Sequence, residues 1–196
     1  MLHRFQQKTT KTPTLIRRNE GLLFKKGYPF TYDIRDIAIY VINYCNKHNK
    51  QITNTQLNHL LYKIQAGFSP YLYRCCFLEP FQKGYTGPIQ PAIYKTYRIY
   101  KRNPIPVQPY RTTLYLDKTL CQIKTKTVRF EDTKHLPHKI FLERIIDDHD
   151  FTSQTYTDEL LATQSICNDI SHKELYEYYK NHKDLLVKPV QKSRLS

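Results

Sequence analysis

The sequence predicts a mainly α-helical domain that carries a small β-hairpin insertion, which is an α+β fold. Two segments, 34–48 and 53–68, repeat apolar residues at the three- and four-residue spacing of one helix face. A third segment, 112–130, is rich in threonine and branched aliphatic residues, and Asp117 and Lys118 divide it into two halves. That composition is typical of two strands joined by a turn.

The length of the chain favours one domain with a tail at each end. Among its 196 residues we assign 33–182 to the domain, 1–32 to a basic N-terminal arm and 183–196 to a basic C-terminal tail. A hydrophobic content of 40% and a charged content of 24% exclude wholesale disorder. The longest apolar run, 37–42, is far shorter than the roughly 20 residues of a membrane-spanning helix. We therefore expect a compact domain that does not enter a membrane.

Capping residues and prolines set the expected bounds of the first three helices. Asp33 precedes the first helix and can accept a hydrogen bond from its first turn. The second helix starts at a Thr53–Gln56 capping box and should kink or end at Pro70, because proline lacks a backbone donor. Pro91 suits the first turn of a third helix. The residues expected to face inward on this third helix are Ile93, Tyr94, Tyr97 and Tyr100.

The second half of the chain holds the hairpin and further helices. A proline-rich loop and the hairpin together span 103–130. Thr157 can cap a short helix, and Ser171 with Glu174 makes a second capping box at the last helix. The chain from Leu186 onward is predicted to be loose.

Positive charge dominates the chain but is distributed unevenly. Lys and Arg number 31 against 17 Asp and Glu, which gives a formal net charge of +14. The segment 95–129 holds nine basic residues and one acidic residue, whereas 131–177 holds eleven acidic and four basic residues. A basic excess attracts nucleic acid or an acidic protein. The acidic stretch favours a polarised molecule over a uniform binder of polyanions.

Motifs for catalysis and cofactor binding are missing from the sequence. It lacks the glycine-rich phosphate loops and the G-x-S-x-G elbow, and it contains only five glycines. Two candidate metal clusters, the Asp-Asp-His-Asp run at 147–150 and the pair His135 and His138, fit a solvated helix end and a helix start better. Cys75 and Cys76 lack a second pair at zinc spacing. We therefore expect no catalytic residue, no metal and no cofactor.

The cysteine content and the N-terminal sequence indicate a compartment. Five cysteines, an odd number, favour a reducing environment over a framework of disulfides. The basic N-terminal residues are not followed by the apolar stretch of a signal peptide. We therefore expect the protein to act in the cytoplasm.

Three segments resemble one known family. Residues 36–66 read DIAIYVINYCNKHNKQITNTQLNHLLYKIQA, residues 87–97 read GPIQPAIYKTY, and residues 170–180 read ISHKELYEYYK. They are similar to the opening helices, the Gly-Pro element and the closing helix of the Panacea domain, the SocA-like family of bacterial antitoxins. The resemblance spans about 33–180. The family's motif positions fall on Asn54, Gln56 and Tyr62.

The resemblance implies a mainly helical domain with a small β element. It also implies a non-enzymatic antitoxin that neutralises a partner toxin by direct protein contact. Two segments depart from the family's pattern: Gln82-Lys83-Gly84 stands where a Glu-Ala-Trp run precedes the Gly-Pro pair, and Thr163-Gln164 stands where a Thr-His pair occurs. These departures favour an alternative, a divergent copy that has turned to another partner. Such a partner would be a host defence protein inhibited by a phage or another mobile element.

The three motif positions also have explanations within the fold. Capping and first-turn hydrogen bonds account for Asn54 and Gln56, with contact to a partner as the alternative. Tyr62 stands at helical spacing, which is more typical of the core than of a binding stripe.

The surface that binds the partner is expected around the Gly-Pro turn and the start of the third helix. A Gly-Pro pair fixes a turn at small entropic cost, so nearby side chains are held ready to dock. Lys95 and Arg98 should lie on the outer face of the helix, where they can meet an acidic partner. Tyr71 and Tyr73 are further contact candidates. The residues assigned to the surface are Tyr85, Gly87, Pro88, Tyr94, Lys95 and Arg98.

Nucleic acid is the other class of partner that the sequence leaves open. Basic residues between 95 and 111 alternate with tyrosines, a composition that suits phosphate neutralisation and base stacking. No helix-turn-helix, zinc finger or RNA-binding strand motif accompanies them. The tyrosines of this block are Tyr94, Tyr97, Tyr100 and Tyr110. The sequence also leaves the oligomeric state open.

Overall fold

The computed structural model describes residues 31–72, 74–117, 119, 122–130 and 136–189. These residues form six α-helices and five short strands, so the prediction of a mainly α-helical fold with a small β-hairpin is confirmed. Residues 1–30 of the predicted arm and 190–196 of the predicted tail lie outside the described residues.

The first helix, α1, spans Ile34–Lys47. The Asp33 carboxylate accepts a hydrogen bond from the Arg35 backbone N–H at 2.9 Å, so Asp33 caps the helix as predicted. The predicted apolar face is buried, and two flanking positions are buried with it. The buried residues of α1 are Ile34, Ile37, Ala38, Ile39, Tyr40, Val41, Ile42 and Cys45.

The second helix, α2, spans Asn54–Leu72 and starts with the predicted capping box. The Gln56 side-chain oxygen accepts a hydrogen bond from the Thr53 backbone N–H at 2.9 Å, and the Thr53 hydroxyl accepts one from the Gln56 N–H at 3.4 Å. Pro70 lies in the last turn, and the helix ends two residues after it. The proline therefore marks the predicted end to within one turn.

The third helix, α3, spans Pro91–Tyr97 and continues as a 3-10 turn over Arg98–Tyr100. Its first residue is proline, as predicted. Ile93 is buried together with Tyr97, but 43% of Tyr94 is exposed, so the predicted inward orientation of Tyr94 is wrong. A helix of two turns rests on the core along one line, and residues four apart occupy that line.

The strands form two separate sheets. Strands β1 (Phe81–Lys83) and β2 (Pro88–Ile89) pair in antiparallel fashion. Strands β3 (Arg111–Asp117) and β4 (Gln122–Val128) form the predicted hairpin. Strand β5 (Asp169–Ile170) pairs with the other edge of β1 and completes a three-stranded sheet in the order β2-β1-β5, which the sequence did not predict.

Two helices follow the hairpin. Helix α4 spans Leu136–Asp147, and the short α5 spans Glu159–Thr163. Asp158, and not the predicted Thr157, caps α5: the Asp158 carboxylate accepts a hydrogen bond from the Leu161 N–H at 2.7 Å. A carboxylate is favoured at this end because the helix dipole is positive there.

The last helix, α6, spans His172–Asn181. The predicted capping box is present, with reciprocal hydrogen bonds between Ser171 and Glu174. Leu186 and Val187 follow a 3-10 turn and pack against the hydrophobic core. These two residues therefore do not belong to a loose tail, contrary to the prediction.

The hydrophobic core surrounds α2, which is buried along almost its whole length. Helices α1, α3, α4 and α6 and strand β2 pack against it. The hairpin is tied to α1 by ion pairs from Arg111 to Asp36 at 2.6 Å and to Asp33 at 3.1 Å. No described helix combines the length and apolar character needed to cross a bilayer.

Leu61→Ala is expected to lower the free energy of unfolding by about 2–5 kcal/mol. Leu61 is fully buried in α2, so the shorter side chain loses contacts and leaves a cavity. Urea denaturation followed by circular dichroism measures the loss. Leu114→Ala is the matched control, because 72% of Leu114 is exposed on the hairpin and its truncation should cost less than about 0.5 kcal/mol. Equal losses in the two variants would contradict the central position of α2.

Candidate functional site

A groove of about 490 Å³ opens where the β1–β2 turn, the end of α3 and the segment before β5 meet. We call it the basic groove. Residues from four places along the chain line it, namely Asn54, Thr55, Lys83, Gly84, Tyr85, Thr86, Ile89, Tyr94, Arg98, Lys101, Arg102, Ile166 and Cys167. Its volume lies in the range of ligand-binding clefts, which is roughly 300–1,000 Å³.

A tight turn builds one wall of the basic groove. The Gly84 N–H donates a hydrogen bond to the Gly87 carbonyl at 2.7 Å, which closes the turn between β1 and β2. Gly87 has a φ of +137°, a conformation that residues with a side chain rarely adopt. The turn places Tyr85 in solvent, with 91% of this residue exposed.

His59 holds this wall from below. Its Nε2 lies 3.1 Å from the Thr86 carbonyl oxygen, which also accepts the Tyr156 N–H at 2.9 Å. His59 is buried, and burial lowers the pKa of its imidazole to about 4. The ring is therefore neutral at pH 7, and Nε2 carries the proton because a carbonyl oxygen can only accept. His59 fixes the backbone beside Tyr85 without reaching the surface.

Side-chain amides anchor the opposite wall, the helix α3. Asn54 Nδ2 donates to the Tyr94 carbonyl at 3.0 Å, and Asn58 Nδ2 donates to Asn54 Oδ1 at 3.2 Å. Asn58 Oδ1 accepts the Gln90 N–H at 2.8 Å, and the Gln90 side chain caps α3 through the Ile93 N–H. Asn54 thus joins α2 to α3, which is a structural role for this family-motif position.

The other two motif positions also lie inside the fold. Gln56 completes the capping box and donates a hydrogen bond to the Phe151 carbonyl. Tyr62 is fully buried, and its hydroxyl donates to Asp158 Oδ2 at 3.1 Å. Burial, reinforced by the nearby Asp158 charge, raises the pKa of Tyr62 well above its ordinary value. Both side chains connect α2 to the segment between α4 and α5, so they stabilise the domain.

Positive charge in the basic groove has no acidic counterpart beside it in the sequence. From Pro80 to Leu116 the chain contains six basic residues and no Asp or Glu. Within the part of the chain that the structure describes, Arg98, Lys101 and Arg102 form no ion pair. All three are exposed. The wall of the groove at the end of α3 is therefore a surface of uncompensated cations.

Strained backbone occurs twice in the lining of the basic groove. Three residues other than glycine have a positive φ among the described residues: Asn49, Lys101 and Cys167. Lys101 and Cys167, with φ of 54° and 66°, both line the groove. Such conformations cost about 1–3 kcal/mol each and concentrate at sites of function. The strained backbone therefore supports a functional role for the basic groove, independently of its charge.

The structure brings three of the six predicted surface residues into the basic groove. Tyr85, Tyr94 and Arg98 line it, and Lys95 is exposed close by on α3. Gly87 and its neighbour Pro88 are buried, so they support the turn and do not present a surface.

The other contact candidates lie elsewhere. Tyr71 packs on Phe141, and its hydroxyl donates a hydrogen bond to the Lys183 carbonyl at 3.2 Å, whereas Tyr73 lies outside the described residues. Sequence reasoning missed Lys83, Ile166 and Cys167 as groove residues, because only the β1–β5 pairing brings their segments together.

Of the two candidate metal clusters, the 147–150 run lies wholly within the described residues, and it does not form a metal site. Groups of three or more His, Cys, Asp or Glu residues that could hold a metal ion do not occur in the described segments. The 147–150 run is not wholly a solvated helix end, because His149 is buried and only 8% exposed. His138 Nδ1 lies 2.8 Å from the Tyr32 hydroxyl, and His135 lies outside the described residues.

The two segments that depart from the Panacea pattern contact each other at the edge of the basic groove. The Lys83 ammonium donates a hydrogen bond to the Gln164 carbonyl at 2.8 Å. The sequence matches no protein-family model, and it shows no significant similarity to a curated protein or to a solved structure. The resemblance to the SocA-like family therefore stays a prediction from the sequence.

Proposed function

We propose that this chain is a non-enzymatic binding protein of the cytoplasm that neutralises a partner protein by direct contact, as an antitoxin does. The observation that carries the proposal is the basic groove, whose cations Arg98, Lys101 and Arg102 form no ion pair among the described residues. An acidic surface on the partner would supply the missing charges and accelerate the encounter. The exposed Tyr85 offers the kind of amphipathic ring that is enriched in protein interfaces.

A protein partner suits the basic groove better than a nucleic acid does. Tyr97 is buried, and Tyr100 stacks on it with ring centroids 6.5 Å apart. The Tyr110 ring is covered by the Arg129 guanidinium at 4.9 Å. Tyr97 and Tyr100 therefore pack on the core and a guanidinium covers Tyr110, which leaves Tyr94 as the exposed ring of that block. Single-stranded nucleic acid binding uses successive exposed rings along a cationic track.

The departures from the family's pattern bear on which protein is bound. Lys83 and Gln164 meet at the edge of the basic groove, so the changed segments border the surface that we assign to the partner. This position favours a partner other than the family's usual one, and a host defence protein is the second candidate. Tagged protein recovered from its host with its bound partner, followed by mass spectrometry, distinguishes a toxin from a defence protein. Growth arrest by the recovered protein, relieved by co-expression of this chain, would establish the antitoxin function.

Charge reversal at Lys95, beside the basic groove, and at Arg98, within it, is expected to weaken the complex without unfolding the protein. The double variant Lys95→Glu with Arg98→Glu should bind the recovered partner on the order of tenfold more weakly, because like charges would then face each other. Calorimetry at low and at moderate salt measures the affinity, and the salt dependence should fall with it. The control Lys126→Glu with Lys173→Glu makes the same change in net charge at two exposed positions outside the groove. Equal weakening in both variants would show that net charge matters and the groove does not.

Binding to nucleic acid is tested in the same samples. Retention on heparin at low salt is expected from the charge of +14 alone. The proposed function predicts that the protein partner stays bound in moderate salt, whereas a labelled single-stranded oligonucleotide is released. The opposite result, in which the oligonucleotide stays bound and the protein partner is released, would replace the proposed function with nucleic-acid binding.

A further inference from the structure

The two walls of the basic groove indicate which kind of partner segment binds there, and this inference rests on the function proposed above. We propose that the groove takes an extended polypeptide segment in which a large apolar side chain is flanked by carboxylates. The apolar side chain would lie against Tyr85, Ile89 and Ile166, and the carboxylates would lie on Arg98, Lys101 and Arg102.

The apolar half of this recognition comes from residues of the β1–β2 turn and strand β2 and of the segment before β5. Tyr85 is almost wholly exposed, and 44% of Ile166 is exposed. Ile89 of β2 is half-buried and lines the same groove. Aromatic and aliphatic side chains in contact with water gain most from covering by another apolar group. A phenylalanine or leucine of the partner would cover these apolar side chains, whereas a partner segment with only charged side chains would not.

Three of the four cations that line the basic groove lie on one side, and the fourth, Lys83 of β1, donates a hydrogen bond from its ammonium to the Gln164 carbonyl at 2.8 Å. Arg98, Lys101 and Arg102 all follow α3, whereas Ile166 and Cys167 belong to the acidic stretch 131–177. Asp169, two residues after Cys167 and outside the groove lining, is exposed, and its carboxylate accepts a hydrogen bond from Gln82 at 2.9 Å. A nucleic acid carries negative charge along its whole backbone, whereas the cations of this groove are concentrated on one wall. A peptide can place carboxylates on one side and an apolar side chain on the other.

Pre-organisation favours a short segment over a flat protein surface. The Tyr85 wall is fixed from beneath by His59 and Tyr156, which both hydrogen-bond the Thr86 carbonyl. The α3 wall is fixed by the amides of Asn54 and Asn58. Two fixed walls around a concave volume suit an inserted chain, because a rigid site loses little entropy on binding.

The test uses fluorescence anisotropy with two labelled peptides and one oligonucleotide. The first peptide is Gly-Asp-Glu-Phe-Glu-Asp-Gly, the second has Ser in place of Phe, and the third probe is oligothymidylate of the same net charge. We expect the Phe peptide to bind about tenfold more tightly than the Ser peptide, since burial of a Phe ring contributes at least that factor. Tyr85→Ala should remove this preference, and Arg98→Glu with Arg102→Glu should weaken both peptides equally.

Controls and contrary outcomes separate this inference from the proposed function. Leu114→Ala is the control for an exposed apolar side chain, and Lys126→Glu with Lys173→Glu is the control for charge. Equal affinity for the two peptides, or tighter binding of oligothymidylate than of either, would overturn the inference. If the recovered partner is nevertheless lost from the Lys95→Glu, Arg98→Glu protein, the proposed function stands and only the segment model fails. If the recovered partner also binds that variant as tightly as it binds the wild type, the proposed function fails as well.

Discussion

Acidification from pH 8 to pH 5 is expected to lower the free energy of unfolding by about 4 kcal/mol, roughly 2 kcal/mol from each of two buried histidines. Burial lowers the pKa of His59 to about 4 and that of His149 to about 3, from an ordinary value of 6.5. Nearby positive charge, mainly from Lys63, lowers the His149 value further. Neither ring nitrogen of His149 has a hydrogen-bond partner among the described residues.

The sign follows from which state takes up protons. Below pH 6.5 the unfolded chain protonates both imidazoles, whereas the folded protein keeps them neutral until about pH 4 for His59 and about pH 3 for His149. Stability is therefore fully present above pH 6.5 and is lost as the pH falls toward the folded-state values. Most carboxylates stay ionised between pH 6.5 and pH 5, so this window reports chiefly on the histidines.

His149→Leu isolates one of the two contributions. The variant should lose about 2 kcal/mol less than the wild type between pH 8 and pH 5. At pH 8 it should be as stable as the wild type or more so, because it removes a buried polar group that has no partner. Leu61→Ala serves as the control, since it lowers stability at every pH without changing the slope. Parallel pH profiles for His149→Leu and the wild type would mean that the folded protein protonates His149 as readily as the unfolded chain does.

Local signals were strong enough to predict the helices and the hairpin. The apolar spacing of α1, its Asp33 cap and the Ser171–Glu174 box are short-range patterns, and each appears in the structure as expected. The hairpin β3–β4 follows from β-branched composition around a turn. Each of these features depends on residues within a few positions of one another.

Features that depend on distant parts of the chain were not predictable from one sequence. The sheet β2-β1-β5 uses strands of two or three residues, too short to show an alternating pattern, and it joins Phe81 to Ile170. His149 stands in an acidic run that indicates solvent exposure, yet it is buried, and its ring lies edge-on to the Phe151 ring with centroids 4.9 Å apart. The basic groove could be predicted only for its segment 85–98, because its other walls come from elsewhere in the chain.

Gly87→Ala is expected to destabilise the protein by about 3 kcal/mol, from a strained backbone together with a steric clash. The φ of +137° at Gly87 disfavours any residue with a side chain. A Cβ atom there would lie 2.7 Å from the Tyr156 carbonyl oxygen and 2.8 Å from His59 Nε2. One of these groups would have to move. Because His59 Nε2 and the Tyr156 N–H both hydrogen-bond the Thr86 carbonyl, the wall that presents Tyr85 would shift.

Gly84→Ala is the matched control because it lies in the same turn. Its Cβ would meet the Gly87 carbonyl oxygen at 3.0 Å and a methyl group of Ile89 at 3.1 Å, which is tight but can be relieved by a small shift. We expect it to cost about 1 kcal/mol, at the lower end of overpacking effects. Thermal denaturation ranks the two variants, and peptide anisotropy at a temperature where both are folded reports on the groove. Gly87→Ala should abolish the preference for the Phe peptide. A Gly87→Ala variant that is as stable as the wild type and keeps this preference would contradict the prediction. It would show that the turn tolerates a side chain and does not depend on His59.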